Sequence, residues 1–142
     1  ALTDDYVQMQ TSSAGTMEMK LLPVNDSVKV ICMVKTVCAS ACDSEVHFYT
    51  SDWSKKLDAK DFLQFPSADA FYLPVDTLTE ETVLIKKKVD MHPMTASLSK
   101  EDASLTFIYT TPDYLNKEDR EKLLPILRKE PIVYQWSEGK FR

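Results

Sequence analysis

Only two histidines and three cysteines offer this 142-residue chain a ready base, nucleophile or soft metal ligand. His47 has Glu45 and Tyr49 two residues to either side, positions that share its face on a strand. His92 sits between Asp90 and Pro93 in a segment that reads as a turn. A metal site could be assembled from either histidine with Asp43, Asp90 or Glu45. Zinc sites, however, bring closely spaced ligand pairs. The one such pair, Cys38-x-x-x-Cys42, has no second pair downstream. A thiol nucleophile at Cys38 or Cys42 would need a histidine base beside it. His47 is near in sequence, but a strand position can turn it away from the cysteine loop. Both histidines are therefore expected to face solvent. No catalytic, cofactor-binding or metal-ligating residue is assigned.

Asp52-Trp53 and Asp113-Tyr114 could be read as paired carboxylates with aromatic platforms for a sugar, since glycoside hydrolysis needs carboxylates about 5 to 10 Å apart. The simpler account is structural: an Asp after a strand satisfies turn amides, and the next aromatic covers the sheet end. Lys86-Lys87-Lys88 is the one basic run. On an alternating strand Lys86 and Lys88 share a face and Lys87 takes the other, a device against edge-to-edge aggregation. Met9, Met17, Met19 and Met33 are core filler, or the lining of a groove for apolar ligands or a partner peptide.

The elements that would position these residues follow a two-residue period. Tyr6 to Gln10 sets Val7 and Met9 against Tyr6, Gln8 and Gln10. After a turn through Ser12-Ser13-Ala14-Gly15, Met17, Met19 and Leu21 oppose Glu18 and Lys20, a hairpin signal. Val28, Val30, Cys32 and Val34 make an apolar face with Lys29 and Lys35 behind it, and Val46 and Phe48 pair with that face. A short helix over 58–64 starts at an Asp58 N-cap. Residues 66–81 form an irregular connection with Phe71, Tyr72 and Leu73 pinned to the core. Thr82 to Val89 is predicted as a strand and Met91 to Lys100 as a long turn, followed by a strand with Leu105, Phe107 and Tyr109 on one side. Asn116 caps a helix from Lys117 to Lys129 that Pro125 kinks or breaks. Ile132, Tyr134 and Trp136 make a last strand. The pattern suggests a hairpin-plus-helix unit used twice, over about 27–64 and 82–129. The expected fold is α+β: an antiparallel sheet built from that duplicated unit, with the helices packed on one face.

Length and composition bound the rest. A chain of this size is expected to form one domain that buries roughly 68% of its unfolded surface. Seventeen basic against 22 acidic residues give a net charge of −5, without the basic surplus a nucleic-acid footprint needs. Two isolated glycines, Gly15 and Gly139, exclude a glycine-rich phosphate loop. No transmembrane helix is encoded. Cys32 reads as a small buried hydrophobe. A Cys38–Cys42 bridge is possible if the two face one another across a hairpin tip, although so short a loop gains little closure entropy. The start at Ala1, without Met or a secretory segment, reads as a processed or trimmed product.

Glu18-Met-Lys-Leu-Leu-Pro-Val24, Val30-Ile-Cys-Met-Val-Lys-Thr36 and Val46-His-Phe-Tyr-Thr-Ser-Asp-Trp53 together resemble a family of uncharacterised exported proteins of Bacteroidales-type gut bacteria. That family is known as a domain of unknown function. The resemblance implies export to the periplasm or outer envelope, where an oxidising compartment would favour the Cys38–Cys42 bridge. It also implies that a signal peptide and a helical stretch precede the Leu2 to Tyr6 region in the family. It brings no catalytic residue. The leading expectation is a non-catalytic cell-envelope module that binds a protein or polymer partner through a sheet face or edge, without cofactor, nucleic acid or transmembrane segment. One alternative is a carrier of an apolar ligand or lipoprotein, with a pocket lined by residues such as Met17, Met19 and Phe107. The other is a hydrolase using His47 or His92.

Overall fold

The computed structural model describes residues 6–73 and 80–142. Leu2 to Asp5 and the part of the 66–81 connection over 74–79 lie outside the described residues. The period-two segments become two antiparallel sheets. The first is a meander of β1 (Tyr6–Ser12), β2 (Gly15–Pro23), β3 (Lys29–Cys38), β4 (Cys42–Thr50) and the two-residue β5 (Lys56–Leu57), paired in sequence order. The second pairs β6 (Met94–Leu98), β7 (Ser104–Tyr109), β8 (Ile132–Ser137) and β9 (Lys140–Phe141). Helices α1 (Glu80–Lys88) and α2 (Lys117–Leu123) complete an α+β fold.

The main core lies between the sheets. Val30, Cys32 and Val34 of β3 and Val46 and Phe48 of β4 meet Ala96, Leu98, Leu105, Phe107 and Phe141 of the second sheet. Phe48 stacks on Phe62 with centroids 4.9 Å apart, and Trp136 closes the same aromatic group. The Trp136 Nε1–H donates to Pro23 O (2.6 Å), tying the second sheet to the end of β2. Strand β6 runs across the first sheet: Met94 N–H reaches Asp43 of β4, and Leu98 N–H reaches Glu18 of β2.

The first hairpin forms as expected, but its buried face is the polar one. Tyr6, Glu18, Lys20 and Leu22 turn inward and are buried, whereas Met17, Met19 and Leu21 point away from the main core. The reason is β6, whose outward backbone groups need polar partners that methionine cannot supply. The apolar face of β3 holds from Val30 to Val34, while Val28 is exposed.

Two other expectations fail. Residues 80–88 are helical, not a strand. Glu80 and Glu81 in the first turn and Lys86, Lys87 and Lys88 in the last match the helix macrodipole, and Ile85 and Val89 form an i, i+4 stripe. The lysines therefore do not alternate across a sheet. Lys86 pairs with Asp69 (3.0 Å) over the Tyr72 ring, and Lys88 pairs with Asp119 (3.1 Å). The stretch read as a turn over 91–100 contains β6, which starts directly after Pro93. With α1 in the place of the predicted strand, the duplicated hairpin-plus-helix unit over 27–64 and 82–129 is not confirmed. Nor do the helices lie together on a sheet face. They form a smaller core of Tyr72, Ile85, Val89, Leu123, Ile126 and Leu127, joined to the main one at Tyr109.

Several local readings hold. Asp58 caps a single 3-10 turn, Ala59–Asp61, by accepting from Lys60 N–H (3.0 Å). Asn116 caps α2, and Pro125 sits in the 3-10 turn Leu124–Ile126 that ends it. Phe71 and Tyr72 are buried, whereas Leu73 is exposed.

Candidate functional site

The face of the first sheet turned away from the core is the feature with the most binding character. Strand register aligns its residues in rows. Val7, Met19, Met33 and His47 form one row; Leu21, Ile31 and Tyr49 form the next; Met9 lies beside Met17. Ile31 and Met33, at the middle of the face, are only 8% exposed, while Val7, Met17, Met19, Leu21 and Tyr49 around them are partly exposed. Lys35 and Glu45 stand beside one another at the rim. A partly exposed apolar strip with a polar rim is a common form of interaction site.

At one end of that face stands Trp53. Asp52 Oδ1 accepts from Ser54 N–H (2.9 Å) and Thr50 Oγ1–H (2.7 Å), which locks the turn after β4. These bonds hold the Asp52 carboxyl down at about 2, below its usual range. The turn carries Trp53 at φ 65°, a left-handed conformation that a bulky aromatic rarely adopts, at a cost of about 1–3 kcal/mol. Trp53 leans on Tyr49 of the outer face (centroids 5.0 Å) and remains 50% exposed. A strained, half-exposed tryptophan beside an apolar face is what an interface anchor looks like.

The two histidines do not converge. His47 lies on the outer face with Nε2 3.3 Å from Glu45 Oε2. His92 lines a separate open cleft of about 620 Å³ with Asp43, Met91, Tyr114 and the Ala39–Ala41 loop tip. There its Nδ1 is 2.5 Å from Tyr109 Oη, which is 3.0 Å from Tyr72 Oη. Burial pushes the Tyr72 hydroxyl, and less strongly that of Tyr109, above the usual phenol range. Both are neutral at ordinary pH. Tyr72 Oη, Tyr109 Oη and His92 Nδ1 thus form one hydrogen-bonded chain.

Cys38 and Cys42 are cross-strand partners and form a disulfide, while Cys32 is free and buried. Among the described residues no three His, Cys, Asp or Glu side chains stand together as a metal site. Asp113 and Tyr114 lie in a 3-10 turn beside α2, where Tyr114 Oη donates to Met91 O (3.1 Å). They share no cleft with Asp52 and Trp53. Phe107 is fully buried between the sheets while Met17 and Met19 point to the outer face, so the three cannot line one carrier pocket. Sequence reasoning left the methionines as core filler or groove lining and did not place them together on one outer face. The signal was present: three strands in register each place methionine on the same side.

Among the described residues no helix is long and apolar enough to cross a membrane. The family model of the description "Protein of unknown function (DUF3256)" matches residues 1–141. No curated protein matches the chain. A solved structure, described as a domain of an uncharacterized protein from Porphyromonas gingivalis W83, is 34% identical with a TM-score of 0.91. The similarity covers 99% of this chain and 71% of that one.

Proposed function

The chain belongs to the DUF3256 family, whose description assigns no activity, and from that premise we propose a non-catalytic interaction module of the cell envelope. Its partner is a protein that docks on the methionine-rich outer face of the first sheet. The observation that carries this reading is the partly exposed apolar strip of Val7, Met17, Met19, Leu21 and Tyr49 with Trp53 displayed at its end. Methionine suits a surface that must adapt to a partner, because its side chain is unbranched and polarisable. The Cys38–Cys42 bridge supports an oxidising compartment, as does the resemblance to exported proteins.

Site-specific photo-cross-linking in the native host tests the reading. A cross-linker at Met19 or Trp53 should trap one defined protein, and one at Leu84 of α1, also exposed, should not. Equal products from all three positions would sink it. Trp53→Asn supplies a second arm. Asn tolerates a left-handed φ, so the variant should unfold at the same or a higher urea midpoint while the cross-link from Met19 weakens. A midpoint well below wild type would show that Trp53 is retained for stability instead.

A further inference from the structure

We propose that the open cleft beside His92 binds a small organic cation, an alkylammonium group whose charge meets Asp43 and whose apolar stem lies against Tyr114 and Met91. The cleft shares no lining residue with the outer face of the first sheet, so the inference goes beyond the docking reading.

The first observation is that the walls of the cleft are already in place. Its 620 Å³ or so lies between the hairpin tip with Asp43, the Met91–Pro93 segment and Tyr114, and falls within the size range of small-molecule sites. The tip is closed by the Cys38–Cys42 disulfide, inside which Ala39 N–H donates to Ala41 O (3.1 Å). Cys42 O accepts from the Thr110 hydroxyl, and Asp43 Oδ1 accepts from Met94 N–H (3.2 Å). These bonds fasten the tip to the second sheet. In the other walls Pro93 O accepts from the Thr111 hydroxyl (3.1 Å), and Met91 O accepts from the Tyr114 hydroxyl (3.1 Å). His92 is held through Nδ1 by Tyr109. A small ligand therefore finds the site formed, and its binding carries little cost in ordering.

The second observation is the charge and chemistry of the lining. No lysine or arginine lines the cleft, and its one carboxylate is Asp43. Asp43 Oδ1 is used on Met94, but the exposed side chain keeps Oδ2 without a partner among the described residues. A carboxylate so placed repels an anion and offers an ammonium group a charge-assisted hydrogen bond. Asp43 and His92 alone fall short of a metal site, since no third His, Cys, Asp or Glu among the described residues joins them. Tyr114 brings an aromatic ring, whose face attracts a cation. Met91, 60% exposed, and Pro93 supply apolar surface for a short aliphatic stem. The chain as a whole, at −5, favours the approach of a cation as well.

Titration of the purified chain with n-butylammonium, followed by NMR of the two histidine side chains, tests the site. The His92 resonances should shift and saturate, while those of His47 on the outer face stay still. n-Butanol, uncharged, and butyrate, anionic, carry similar stems and should bind more than tenfold more weakly. Asp43→Asn keeps an acceptor for Met94 N–H, so it should hold the melting temperature while affinity for n-butylammonium falls more than tenfold. Nα-acetyl-lysine methylamide then separates two sources of the cation. Tighter binding than n-butylammonium supports the site with a protein's lysine side chain as ligand, and weaker binding supports it with a free amine. A His92 signal that moves at no soluble concentration overturns the proposal, as do equal shifts at His47. So does n-butanol binding as well as n-butylammonium, a comparison that needs no variant, or a folded Asp43→Asn that binds like wild type. None of these measurements involves a second protein, so they stand or fall separately from cross-linking on the outer face.

Discussion

Glu18 is an acid placed among apolar residues, and a different strand explains why. Its Oε2 accepts from the Tyr6 hydroxyl (2.6 Å) and its Oε1 from the Leu98 N–H (3.4 Å), one of the outward groups of β6. The neighbouring Lys20 Nζ donates to the carbonyls of Ser99 and Asp102 (2.7 Å each), just beyond that strand. Glu18→Ala should strand both buried donors, at about 1–3 kcal/mol for each. Glu18→Gln should cost less, because its carbonyl oxygen can still accept from one of the two donors. The two variants also separate by pH. Burial raises the Glu18 carboxyl above its ordinary 4.5. A raised folded-state value means stability that is full below the ordinary value and lost as the pH climbs through the raised one. Relative to wild type, Glu18→Gln should therefore gain urea stability as the pH rises from 4.5 through that window. Asp52 and Asp102 run the other way. Their carboxyls are lowered by hydrogen bonds from Ser54 and Ser104, so their contribution is present above the ordinary Asp range and fades as acid protonates them. A flat difference between wild type and Glu18→Gln across the series would show that Glu18 carries no buried charge.

At the scale of elements, α2 shows how much a cap can hold. Asn116 Oδ1 accepts from Asp119 N–H (2.8 Å), and the Asp119 carboxylate receives Lys88 from α1. Asn116→Ala should cost about 1 kcal/mol, with hydrogen exchange quickened in α2 and at the end of α1, while Asn116→Ser restores most of it. Unchanged exchange in both helices would mean the cap is redundant with packing. This cap was legible in sequence, as were Asp58 and the break at Pro125, because capping and proline chemistry act within a few residues. Helix α1 was not. Thr82, Val83 and Ile85 carry strand preferences, and the dipole-matched charges at its two ends were outweighed by them in the reading. The buried face of β2 was hidden for a different reason. Glu18 and Lys20 are inside because β6, about eighty residues later, needs polar partners, and no local period reports a contact at that distance. The outer face suffered the reverse error, since methionines that fit a core by composition are set outward by strand register. The contact of His92 with Tyr109 was equally hidden, since no motif links the two residues.

At the scale of the whole molecule, Tyr109 packs against both cores. Tyr109 stacks on Phe71 (centroids 5.1 Å, 17° between planes), packs against both clusters, and bonds Tyr72 and His92 through its hydroxyl. The sandwich has its own aromatic centre in Phe48, Phe62, Trp136 and Phe141. The helical core is small, and the Tyr109 ring is the side chain that packs against both cores, beside the backbone bonds of Phe71 and Leu73. Removing the ring should therefore do more than lower stability; it should divide the cooperativity. In a Trp53→Phe background, Trp136 is the only tryptophan and reports on the sandwich, while far-ultraviolet circular dichroism at the helical minimum reports on α1 and α2. Both signals should melt together in that background and in Tyr109→Phe, which keeps the ring and loses only its hydroxyl bonds. In Tyr109→Ala the helical signal should melt first, with the sandwich following at higher temperature and a total loss of about 3–5 kcal/mol. Coincident transitions in Tyr109→Ala would mean that the helices are held to the sandwich by more than this ring. The outer face belongs to the first sheet, so binding there should survive the loss of the helical core, and the same variant can test that independence.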